Sequence, residues 1–236
     1  DKRSSGGADL NYTNLWPYFQ VSKQKQDFTI YPIFWNGDMN FRKKTSATGM
    51  IKFYGYANTS RLGFTQPSLD YPGDKNLFEL QNLNVYTNLT YHEQIAKKWK
   101  LFTGFSYSTN TDNINIANEA KDSSFNNAKI KHRNDLTQTK IMFTRSIGLL
   151  SSIRLGGEYE YATDNTLYNQ YTKRFVDNYT AAFAEGGFYL TTKLVARVGG
   201  RLEYSSLLQK ANIAPRISMA YKVGAKDQFS LAYGDF

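Results

Sequence analysis

The residues able to do acid–base or nucleophilic work are few. The chain has two histidines and no cysteine. His92 stands in Tyr91-His92-Glu93 beside a short turn, and His132 in Lys131-His132-Arg133-Asn134 at the foot of a long loop. Lipid hydrolysis at a membrane needs a serine activated by a histidine base. Neither histidine has a serine two residues away and no nucleophile elbow occurs, so both are expected as solvated edge residues. Without cysteine there is no disulfide framework and no thiolate zinc or iron–sulfur site. The loop acids Asp112, Glu119, Asp122 and Asp164 are too sparse for a calcium loop. The glycine pairs Gly156-Gly157, Gly186-Gly187 and Gly199-Gly200 precede no helix, so they cradle no phosphate and instead relieve curvature or crowding in a sheet. The expectation is a protein that is not an enzyme and uses no metal or cofactor.

What remains for chemistry is charge and aromatic surface, and both are ordered by period 2. Ile153, Leu155, Gly157, Tyr159 and Tyr161 alternate with Ser152, Arg154, Gly156, Glu158 and Glu160. The same alternation runs through 99–108, 194–204 and 215–223, where helical spacing fits nothing. One phase is apolar. The other carries Lys140, Arg154, Glu158, Glu160, Arg197, Arg201, Glu203, Arg216 and Lys222.

The composition suits such strands. Among 236 residues there are 18 Tyr, 16 Phe and 3 Trp, yet the mean hydropathy is −0.55. The apolar atoms therefore sit beside polar ones rather than in long runs. The best candidate for a membrane helix, Thr180–Gly200, is broken by Glu185, Lys193 and Arg197. Asp1-Lys2-Arg3 is followed by no apolar stretch, so no signal peptide opens the chain, which reads as a mature or truncated product. The net charge of +9 comes without a run of five basic residues. Arg42-Lys43-Lys44 and Lys97-Lys98-Trp99-Lys100 read as solvated turns, and no nucleic-acid partner is expected.

From residue 79 onward the pattern predicts paired strands of roughly 10–13 residues, long enough to cross a bilayer at a tilt of about 45°. Short turns are expected near Glu93–Lys98, Ser146–Ser151, Thr191–Lys193 and Gly224–Asp227. Long polar loops are expected over Asn58–Leu77, Thr111–Arg133, Thr163–Val176 and Ser205–Asn212. About eight strands follow residue 79 and two to four precede it, with Leu10–Val21 and Phe28–Trp35 strand-like and a hairpin around Thr45–Thr48. Tyr91, Trp99, Phe143, Tyr189, Tyr221 and Phe229 flank the short turns; Tyr107, Tyr159, Tyr161, Tyr204 and Tyr233 lie toward the other ends. Two aromatic belts are what two membrane–water interfaces select. The expected fold is all-β, a transmembrane antiparallel β-barrel meander of about 10–12 strands, with residues 1–236 forming one barrel segment. The charged phase then faces the lumen, where the charges either pair to fill a narrow barrel or line a wide one and grip a plug.

Ala214-Pro215-Arg216-Ile217-Ser218-Met219-Ala220-Tyr221-Lys222, then Phe229-Ser230-Leu231-Ala232-Tyr233-Gly234-Asp235-Phe236, resembles the barrel of TonB-dependent receptors. Gly49-Met50-Ile51-Lys52-Phe53-Tyr54-Gly55-Tyr56 is similar to early barrel strands of that family's carboxypeptidase-regulatory-like branch. The resemblance implies a 22-stranded barrel around an N-terminal plug domain, in the outer membrane of a Gram-negative bacterium. Its partners would be outer-membrane lipid and lipopolysaccharide, the plug of the same receptor, TonB through that plug, and a surface lipoprotein. No plug and no TonB box precede Asp1, and Phe236 falls out of phase with Phe229, Leu231 and Tyr233. The chain therefore reads as an internal barrel segment of a longer receptor. The implied function is TonB-coupled import of a nutrient, whether siderophore, haem, vitamin, oligosaccharide or peptide; a passive porin or structural barrel of about 12 strands is the alternative. The loop aromatics Phe64, Tyr71, Phe125, Tyr168 and Tyr171 are the expected ligand contacts.

Overall fold

The alternation found in the sequence leaves each strand with one apolar and one polar face, and a single-layer sheet results. A computed structural model describes residues 3–22, 27–68, 73–118, 127–148, 150–224 and 227–234. The strands are β1 (Ser4–Asn14), β2 (Asp27–Lys44), β3 (Met50–Pro67), β4 (Lys75–Ala96), β5 (Trp99–Asn118), β6 (Ala128–Ile147), β7 (Ser151–Tyr168), β8 (Tyr171–Tyr189), β9 (Leu194–Ser205), β10 (Lys210–Lys222) and β11 (Gln228–Gly234). They form one 11-stranded sheet in which every neighbour in space is the neighbour in sequence, and every pairing is antiparallel. β1 and β11 are not paired with each other, so the sheet is open.

Among the described residues three strands precede residue 75, with the expected hairpin between β2 and β3 around Thr45–Thr48. One expectation there fails. Leu10–Val21 does not run as a strand throughout, because Trp16–Val21 forms a short helix, α1, with Pro17 in its first turn. Proline lacks the N–H a ladder needs and its fixed φ suits a helix start.

The long loops also need correction. β4 is 22 residues long, and β5 and β6 are 20 each. The segments expected as loops at Asn58–Leu77 and Thr111–Arg133 are mostly paired strand. Thr163–Val176 is a hairpin closed by Asn169 and Gln170 alone, with Asn169 at φ 52°. Ser205–Asn212 is a tight turn with Gln209 at φ 52°. Asparagine tolerates the left-handed region better than most residues. Polar composition had suggested loops; cross-strand hydrogen bonding among Asn, Asp and Thr makes polar strands instead.

The register tilts these strands. The rung beginning at Met50, the first residue of β3, passes through His92, Phe102, Met142, Gly156, Phe183 and Arg201 to Ala214. Ala214 lies eight residues before the end of β10 (222 − 214 = 8), seven strands from β3. At roughly 3.3 Å per residue and 4.8 Å per strand, this stagger is a tilt of about 40°. Membrane barrels tilt by about 35–45°.

The described residues form no conventional core. Among the described residues the buried hydrophobics are Ala128, Ala181 and Ala214, and no large side chain is fully buried. The large apolar residues instead lie exposed on one face. Leu89 is 45% exposed, Phe105 46%, Leu155 43% and Leu202 54%, although water would ordinarily drive such a surface into cover. Eight to ten residues past each short turn this face carries Tyr107, Tyr159, Tyr161 and Tyr204; Tyr91, Trp99, Phe143, Tyr221 and Phe229 lie nearer the turns on the same face. Tyr189 does not join them, since its pairing with Val195 turns it to the polar face. Each glycine pair divides its labour. A Cβ on Gly156 would sit 2.6 Å from the Ile141 carbonyl, beneath the Phe183 ring, whereas the nearest atom to one on Gly157 is 3.5 Å away.

Candidate functional site

Strands β6 to β10 bring the predicted charges onto one face, and Lys140, Glu158, Arg201 and Glu203 are joined there. Lys140 Nζ lies 2.6 Å from Glu158 Oε1, and Arg201 Nη2 lies 2.6 Å from Glu158 Oε2. Arg201 Nε reaches Glu203 Oε2 at 3.0 Å. The Tyr179 hydroxyl donates to the same Glu203 oxygen at 2.5 Å and accepts from Arg201 Nη2 at 3.2 Å. Asn212 Nδ2 donates to Glu203 Oε1 at 3.1 Å. The network crosses β6, β7, β8, β9 and β10, because rungs of an antiparallel sheet set same-face residues side by side. Its members are half-covered: the Arg201 side chain is 19% exposed and that of Glu158 16%.

Two shallow hollows flank the network. Lys140, Arg154, Glu158, Arg201 and Arg216 border one of about 220 Å³. Glu160, which accepts from Gln138 at 3.0 Å, borders another of about 270 Å³ with Asn88 and Phe102. Arg154 reaches Glu185 at 3.6 Å, and Arg197 and Arg216 share a smaller hollow on the β9–β11 side. Lys222 ends β10 on the same face, where it pairs with Gln228. All the predicted charges thus share a face, but those joined in the network lie on β6 to β9.

The other half of this face is rich in asparagine, which the sequence reading missed. One rung sets Asn11, Asn36, Asn58, Asn84, Asn110 and Asn134 in line across β1 to β6. Asn82 Nδ2 donates to Asn110 Oδ1 at 2.9 Å and to Asp112 Oδ1 at 2.6 Å, and Asn110 Nδ2 to Asp112 Oδ2 at 2.9 Å. Tyr54, Tyr56 and Tyr86 cluster beside it with ring centroids 5.6–6.4 Å apart. Amides that both donate and accept, next to ring faces, suit a neutral polar ligand.

At the far ends of the strands, Phe64 joins an aromatic cluster rather than a loop. Its ring lies 5.4 Å from Phe78 and 6.3 Å from Phe28; Phe28 stacks on Phe19 of α1 at 4.6 Å. Tyr168 and Tyr171 pair across the β7–β8 hairpin tip and are 47% and 68% exposed. Tyr71 and Phe125 lie outside the described residues. Beyond the aromatic belt, Asp177 clamps the β9–β10 turn: the Leu207 amide donates to it at 2.9 Å and the Ser205 hydroxyl at 2.9 Å. The Leu207 amide, with the Ser205 and Ser206 hydroxyls, holds its carboxyl below the usual carboxylate range.

His132 is not simply solvated, as expected, but lies 2.9 Å from Asp164. The nearby Thr166 hydroxyl donates to Asp164 and not to the imidazole, so the imidazole does not activate Thr166 in this arrangement.

No family model and no curated protein matches the sequence. In three dimensions the chain is similar to the RagAB peptide importer in its "open-open" state, with a TM-score of 0.72 at 8% identity, over 99% of this chain and 35% of that one. It is also similar to the ferric yersiniabactin uptake receptor FyuA from Yersinia pestis, with a TM-score of 0.66 at 10% identity, over 95% of this chain and 41% of that one. The chain thus spans well under half the length of either. At such identity the likeness is one of fold: an all-β antiparallel meander of the outer-membrane barrel kind, present as an open sheet.

Proposed function

We propose that this chain is a length of the transmembrane barrel of a TonB-dependent receptor in a Gram-negative outer membrane, importing a nutrient under TonB control. The observation that carries the reading is the division of the sheet. One face exposes apolar side chains between aromatic rows, and the other joins Lys140, Glu158, Arg201 and Glu203, and Asn82 with Asn110, within itself. At a tilt of about 40°, the eight residues from Trp99 to Tyr107 and the ten from the Tyr221 rung to Tyr204 span roughly 20–25 Å along the barrel axis, close to the height of a hydrocarbon core crossed by a barrel. The apolar face meets lipid and the polar face the lumen.

The charge network bears on how the lumen is used. Lys140, Glu158, Arg201 and Glu203 neutralise one another along the wall, so a wide barrel needs no opposing charges across its diameter. A plug domain rests against this wall, and the Asn rung and tyrosines offer neutral contacts to a ligand. Phe64, Tyr168 and Tyr171 sit at the outer ends of strands, where a ligand arrives first.

The test uses the full-length gene product in planar bilayers, with capture by the periplasmic domain of TonB as a second readout. Gated import predicts no steady conductance from the native protein, channels after mild urea loosens the plug, and retention of the TonB domain. A native protein that conducts steadily and ignores TonB would be a passive barrel instead.

A further inference from the structure

Beyond the tyrosine belt the two faces of β3 to β6 exchange character. The outward phase becomes polar there, with Arg61, Gln81, Asn113 and Lys131 on one rung and all exposed, as strands standing in water require. The lumen phase turns apolar in the same place. Four residues past the Asn rung, Leu62, Leu80, Ile114 and Ile130 share a rung, roughly 13 Å further along the strands. Two residues on, Phe64, Phe78 and Ile116 form the next lumen-facing rung, and Phe28 continues it on β2. Phe19 of α1 stacks on Phe28 at 4.6 Å and closes the row on that side. In a single layer of sheet these Leu, Ile and Phe side chains are only half-buried, an apolar wall set inside a mouth whose outside is wet.

Between the apolar rungs and the Asn rung runs a polar one, Ser60, Asn82, Asp112 and His132. Its charges are already answered within the wall. Asp112 accepts from Asn82 at 2.6 Å and from Asn110 at 2.9 Å, and His132 lies 2.9 Å from Asp164. Among the described residues of these rungs a charged ligand therefore finds no unanswered counter-charge. Hydroxyls and amides meet donors and acceptors on the Asn rung, while rings and branched alkyl groups meet the rungs above it. The apolar wall is continuous with that amide wall along the same strands, so a molecule about 13–20 Å long spans both. Resting on the lumen reading above, we infer that this strip of the barrel mouth binds an uncharged amphiphile. Its aromatic or branched alkyl end lies outermost, on the Leu, Ile and Phe rungs, and its hydroxyl or amide end reaches inward to Asn84 and Asn110.

The test is isothermal titration calorimetry of the full-length protein in nanodiscs, with empty nanodiscs subtracted, comparing para-nitrophenyl maltoside with maltose and with para-nitrophenyl phosphate. The maltoside should bind at least about tenfold more tightly than maltose, because its ring covers apolar surface. It should also bind more tightly than the phosphate, whose charge meets no partner. Leu80→Ser with Ile114→Ser should erase the preference over maltose, whereas Gln81→Ser with Asn113→Ser, on the outward side of the same strands, should keep it. Equal affinity for maltoside and maltose, tighter binding of the phosphate, or an undiminished preference in the Leu80 and Ile114 variant would overturn the site. A wild-type protein that conducts steadily and ignores TonB, yet still prefers the maltoside, would sink the importer reading and leave the site in place. A protein without heat-modifiable gel mobility is no inserted barrel, and the site would then fall together with the lumen.

Discussion

Arg201 shows why one side chain can matter in a sheet without a core. It binds Glu158 and Glu203 at once and meets Tyr179 as well. Removing it leaves Glu203 with no cation and Glu158 with Lys140 alone on a half-covered surface, the costly way to break an ion network. Arg201→Met should therefore destabilise the folded barrel by about 1–3 kcal/mol, discounted for partial exposure. Adding Glu158→Gln and Glu203→Gln should recover much of that loss, because it removes the two carboxylates left short of a cation. Urea unfolding of the three proteins in the same lipid checks both statements; a triple variant no more stable than the single one would mean that Arg201 acts mainly through packing. The phase of these charges was legible in the sequence, because period 2 alone assigns a face. Their partners were not. Tyr179 and Glu185 lie on strands whose register depends on how many residues the turns consume.

The strands were legible where apolar and polar residues alternate, and were misread where both faces are polar. Asn113, Asn115, Lys129 and Lys131 belong to ladders, yet a polar run has the composition of a loop. A usable signal did exist. Residues equidistant from a turn pair with each other, so the spacing of Asn36 and Asn58 about residue 47, and of Asn84 and Asn110 about residue 97, marks the rung in the sequence itself. Phe64, expected in a loop, is a strand residue for the same reason. The β9–β10 turn supplies a test at this scale. Because folding depresses the Asp177 pKa, the clamp stabilises the turn above the unfolded value of about 3.9, and the contribution is lost as pH falls through the lower folded value. The stability gap between wild type and Asp177→Asn should thus be constant above about pH 5 and narrow below about pH 4. Parallel melting curves across pH measure it; a gap that widens in acid would show that the turn does not depend on the carboxylate.

At the scale of the whole molecule, an open face of exposed Leu, Phe, Ile and Tyr calls for another apolar phase beside it, and on the proposed reading the tilt and aromatic rows make that phase a bilayer. The decisive comparison holds strand, face and substitution constant and changes only depth. Leu155 and Asn165 both lie on the outward phase of β7, with Leu155 four residues above the short turn and Asn165 well past the tyrosine belt. Leu155→Arg should cost about 2–4 kcal/mol for a cation near the midplane, while Asn165→Arg should cost close to nothing. Reversible unfolding of the full-length protein from lipid measures both. In a water-soluble sheet the two positions would differ only by lost packing at a residue already 43% exposed, and Leu155→Arg would then be nearly silent. A large penalty confined to positions between the two aromatic rows, falling off beyond Tyr161, would map the hydrocarbon boundary directly onto this chain.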